Sequence, residues 1–129
     1  LFSGLLPNTP TTDPHAGTPT IGTPNGANNV ASVAFISGNT KTDRAMRIRV
    51  QAGVGNVSAQ TDVVTITFAS EWKDQVGNPV VPAIICSQGA YASVSTSTAF
   101  TLQLGNVIGG GNAQDFSIIV SGGSSANSN

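Results

Sequence analysis

Six side chains carry carboxylates: Asp13, Asp43, Asp62, Glu71, Asp74 and Asp115. Glu71 and Asp74, three residues apart, raise the chemistry of glycoside hydrolysis. There one carboxyl protonates the leaving oxygen and a second serves as base or nucleophile. Lys73 lies between them in a polar connection, so a solvated turn is the expected role. A calcium loop needs several oxygen ligands at fixed spacing, and Asp43 and Asp74 lack such companions. Cys86 is the single cysteine and sits in the apolar run Ala83-Ile84-Ile85-Cys86. An intrachain disulfide is excluded, and a small core hydrophobe is the expected role. His15, the one histidine, lies among prolines, and nothing nearby suggests a partner for it.

Two nucleophile and phosphate signatures are also missing. Gly109-Gly110-Gly111 is not followed by lysine, as a phosphate-cradling loop requires, and there is no Gly-x-Ser-x-Gly elbow. The expectation is a non-enzymatic chain with no catalytic, cofactor or metal residue. Charged residues make up 9 % and formal net charge is −1. Nucleic-acid binding needs clustered Lys and Arg. Arg47 and Arg49 read better as the solvated face of a strand. No run of about 18 apolar residues is present to span a membrane. Leu1-Phe2-Ser3-Gly4-Leu5-Leu6 is too short for a signal core and lacks a basic start; opening on Leu, it reads as processed or truncated.

The elements that must position these residues are strands. Ser, Thr, Asn and Gly fill the polar positions, which favours turns and strand faces over helices. In Asp62–Ala69, Val64, Ile66 and Phe68 alternate with Thr65 and Thr67, the period of a half-buried strand. Met46, Ile48 and Val50 alternate with Arg47, Arg49 and Gln51 in the same way. Further strands are expected over Val30–Ile36, Val80–Cys86, Gly89–Ser95, Phe100–Leu104 and Phe116–Val120. Pro82 places the second of these at an edge, or starts it after the proline. The inward set adds Ile84, Phe100, Leu102, Leu104, Phe116, Ile118 and Val120.

About seven short strands between turn signals predict an all-β, antiparallel two-sheet β-sandwich. Residues 30–122 form that domain. Residues 1–29, with Pro7, Pro10, Pro14, Pro19 and Pro24, read as an extended Pro/Thr-rich arm, and 123–129 as a flexible Ser/Gly/Asn tail. Leu1, Phe2, Leu5 and Leu6 are the expected arm anchor, docking on the body or on a neighbouring copy. Glu71–Val76 is a short helical turn capped by Ser70, or a loop in which Trp72 lids the core. Trp72 and Tyr91 are the candidates for surface recognition.

Several stretches follow one another in a distinctive order: Val64-Thr65-Ile66-Thr67-Phe68-Ala69, Pro82 to Ile85, Ala90-Tyr91-Ala92-Ser93, Ser95 to Leu102, and Asp115-Phe116-Ser117-Ile118-Ile119-Val120-Ser121-Gly122. Together, across about residues 38–122, they resemble the small β-sandwich modules near the C-terminal ends of bacteriophage tail fibres and related virion surface proteins. The resemblance implies a virion structural role without enzymatic activity, as a receptor-binding head or a capsid decoration module. It also implies homo-oligomers, trimers above all, in contact with other virion proteins and with a host surface glycan or protein. An extracellular adhesin or filament subunit and a carbohydrate-binding module are the alternatives.

Overall fold

In a computed structural model, which describes residues 13–122, the chain forms eight strands. They are β1 (Thr20–Ile21), β2 (Val30–Phe35), β3 (Ala45–Ala52), β4 (Asp62–Thr67), β5 (Ala83–Cys86), β6 (Tyr91–Ser95), β7 (Ala99–Gln103) and β8 (Ala113–Ser121). Two antiparallel four-stranded sheets result, ordered β1-β4-β7-β6 and β2-β3-β8-β5. This is the expected β-sandwich, with one strand more. Among the described residues the one helical element is a 3₁₀ turn at Gly26–Asn28.

The core follows the period-two pattern. Met46, Ile48 and Val50 of one sheet face Ile66, Phe100 and Leu102 of the other, and all are buried. Every member of the expected inward set is buried except Ile84, which is half-buried. Val63 departs from the alternation: it is buried beside the equally buried Val64. The register between β4 and β7 slips between Asp62 and Val64, and such a bulge turns two successive side chains inward. Further slips occur between Val30 and Ser32 and between Ala92 and Val94.

One end of the sandwich is closed by Val57 and Ile108, joined across a bridge. Backbones meet closely there: a Cβ on Gly110 would lie 2.3 Å from the Val54 carbonyl oxygen. Glycine is therefore required at that position. The opposite end is closed by Phe68 and Trp72. Residues 71–79 are a loop rather than a helical turn, shaped by Asp74, whose Oδ1 accepts the Val76 and Asn78 N–H groups.

The boundary at residue 29 moves. Thr20 and Ile21 pair with Thr67 and Ile66, and the Gly22 and Asn25 N–H groups continue the run onto the Thr65 and Val63 carbonyls. The chain from 13 to 29 is thus part of the sandwich. The prolines confine it to an edge, where missing donors cost nothing.

Candidate functional site

Two arrangements stand out, a buried cluster at the Trp72 end and the outward face of the β1-β4-β7-β6 sheet.

The cluster gathers side chains far apart in sequence. Asp43, fully buried just before β3, receives three hydrogen bonds. The Ala69 and Ser70 N–H groups donate at 2.7 and 3.0 Å, and His15 Nδ1 lies 2.9 Å from Oδ2. The Asp43 N–H returns a bond to the His15 carbonyl at 3.1 Å. His15 stacks on Trp72 with centroids 3.6 Å apart and planes 7° apart. Phe68 meets Trp72 edge-on at 5.9 Å, and the Arg44 guanidinium carbon lies 5.3 Å from the Trp72 ring centroid, within cation–π range. Among the described residues His15 Nε2 and Trp72 Nε1 are buried with no hydrogen-bond partner. His15 is fully buried, stacked on Trp72 and has its outer nitrogen enclosed, so this His–Asp pair is a fastening and not a proton relay to solvent.

Arg44 closes the cluster by holding Asp13 through two parallel bonds, Nε to Oδ2 at 2.8 Å and Nη2 to Oδ1 at 3.1 Å. The Arg44 bonds, aided by the His15 N–H, hold the Asp13 carboxyl down to about 2 from its ordinary 3.8. A lowered carboxylate stabilises the fold fully above its ordinary value and ceases to do so as pH falls through the folded one. Asp13→Asn should therefore be less stable than the parent at pH 7, with the gap closing between pH 3.8 and about 2. Both partners are 41 % exposed, so the gap is small and salt-sensitive. Urea midpoints of the two proteins across that range provide the check.

On the outward sheet face, Thr65 of β4 and Thr101 of β7 share a hydrogen bond of 2.9 Å. Asp62 Oδ1 accepts Ser93 Oγ and Gln103 Nε2, each at 2.7 Å. The Tyr91 hydroxyl contacts the side-chain oxygens of Gln60, at 2.5 Å, and Gln103. Two shallow hollows meet at Thr65 and Thr101. One, of about 370 Å³, is bordered by Thr23, Asn25 and Asp62. The other, of about 170 Å³, is bordered by Val94, Thr96 and Phe100. The lining offers hydroxyls, an amide, one carboxylate and a small apolar floor, with no basic group. That chemistry suits an uncharged polar surface or ligand.

The expected site residues fall as follows. Leu1, Phe2, Leu5 and Leu6 lie outside the described residues. Tyr91 is on the outward face and 38 % exposed. Trp72 is fully buried, which corrects its candidacy for surface recognition: His15, Phe68 and Arg44 occupy the ring, and none of it is left for a ligand. Glu71 accepts a bond from Ser97 Oγ at 2.7 Å and Asp74 is engaged by its own loop, so both carboxylates have structural employment. Burial pushes the Cys86 thiol up to about 11, which keeps it protonated at neutral pH. His15 and Asp43, 28 residues apart, had no local signal. Among the described residues no group of three or more His, Cys, Asp or Glu gathers for a metal, and no helix is long and apolar enough to cross a membrane. Compared with protein-family models, curated proteins and solved structures, the chain matches none.

Proposed function

We propose that this chain is a non-enzymatic structural and recognition module on the surface of a virus particle, either a tail-fibre head or a capsid decoration. The observation that carries the reading is the outward face of the β1-β4-β7-β6 sheet. Its side chains are uncharged apart from Asp62, and they are tied to one another by the Thr65–Thr101, Asp62–Ser93 and Asp62–Gln103 bonds. A surface fixed in this way loses little side-chain freedom on contact, which favours binding over turnover. The resemblance of the strand pattern to tail-fibre sandwich modules supports the virion setting, and a homotrimer is the assembly that fits it. Antibody raised against residues 13–122 should label purified virus particles in electron micrographs, and the protein in solution should sediment at three times 13.0 kDa. Label on cell surfaces with particles left bare would refute the viral setting and favour the adhesin.

A carbohydrate-binding role has one observation of its own. Tyr91 is exposed and reaches Asp62 through Gln103, an aromatic beside an acid on an open face. Binding on a glycan array that Tyr91→Ala abolishes would support it, and a blank array would retire it.

A further inference from the structure

Val81, Ile85 and Ile119 are 58, 66 and 50 % exposed. Ile85 and Ile119 are cross-strand partners on the outward side of β5 and β8. Ala45 of β3 extends the row as the partner of Ile119. Isolated exposed apolar residues need no explanation, but Ile85 and Ile119 adjoin one another, with Val81 four residues before Ile85 in the chain, and such a grouping invites a cover. The first described residue is fastened beside this row. Asp13 grips Arg44, whose carbonyl accepts the Val120 N–H at 2.9 Å. On the other flank, Trp72, on which His15 stacks, accepts the Val80 N–H at 3.0 Å. Asp13 thus starts from a point tied to the neighbours of both Ile119 and Val81.

We propose that Leu5 and Leu6, with Leu1 and Phe2 beyond them, cover the Val81–Ile85–Ile119 row of their own chain. Reach is ample. Leu6 precedes Asp13 by seven residues, which span up to about 23–25 Å when extended. Ile85 is two strand spacings from Ala45, about 10 Å. Pro7 and Pro10 reduce the conformational freedom that the connection gives up. A tether this short holds the leucines at an effective concentration on the order of millimolar, which favours the row of the same chain over that of another copy.

The test places a spin label on Ser3→Cys in a full-length Cys86→Ser background and reads isoleucine methyl signals. Ile85 and Ile119 should lose intensity while Ile108, at the opposite end, keeps it. Adding Leu5→Ser and Leu6→Ser should restore both signals. Three results would overturn the proposal: full intensity at Ile85 and Ile119, a loss that survives the serines, or a loss that appears when spin-labelled chains without isotope are mixed with isotope-labelled chains without spin label. The last would assign the leucines to a second copy.

Discussion

Asp43→Ala is expected to destabilise the protein by about 3–5 kcal/mol, the range for breaking a buried charged hydrogen-bonded group. For a domain of this size that lowers the melting temperature by roughly 10–20 °C. Among the described residues the carboxylate is the side-chain acceptor of the part-buried Ala69 and Ser70 N–H groups, and alanine leaves both donors, and the buried His15 Nδ1, without it. Each orphaned group costs about 1–3 kcal/mol. Asp43→Asn keeps one acceptor oxygen and a similar volume, so its loss should be about half as large. Calorimetry measures both, and amide exchange at Ala69 and Ser70 should accelerate in the alanine variant. A melting point unchanged in Asp43→Ala would show that water replaces the carboxylate at no cost, contrary to the burial of the site.

Trp72→Ala is expected to cost about 3–5 kcal/mol as well, the usual range for truncating a buried aromatic. It removes the stacking surface of His15, the edge contact of Phe68 and the ring beneath Arg44. Trp72→Phe keeps part of the stack and should recover more than half the loss. His15→Ala combined with Trp72→Ala should fall short of the sum of the single effects, because each removes the same stacked pair. As the one tryptophan in the chain, Trp72 also reports its own burial. The folded protein should emit at short wavelength and shift red on unfolding, and a native spectrum already typical of water-exposed indole would contradict the enclosed ring.

The strands were legible because β3, β4 and β7 alternate apolar and polar residues and each buries one face. β5 was placed correctly by Pro82, which cannot donate within a ladder. The hidden parts share one cause, contact between segments distant in sequence. Thr20 and Ile21 are flanked by prolines and carry no alternation; they pair because β4 offers a free edge. Period-two alternation would turn Val63 outward, but a bulge, not the pattern, decides its side. The outward hydroxyl face could be anticipated from Thr65, Thr67 and Thr101 individually, but its hollows depend on where β1 and β6 end. His15 and Asp43 are ordinary residues in ordinary loops until the fold joins them. Trp72 was legible as a lid, while its stacking partner was not.

The sheet borders have a consequence wherever many copies of this domain are crowded together. β1 is two residues long, β5 is four residues long and follows a proline, and β2 and β6 each carry a register slip. Unpaired backbone along a straight border invites the same chain to add itself repeatedly, and brevity, proline and irregular pairing each obstruct that growth. Crowded copies of this domain should therefore stay discrete instead of polymerising into cross-β fibrils.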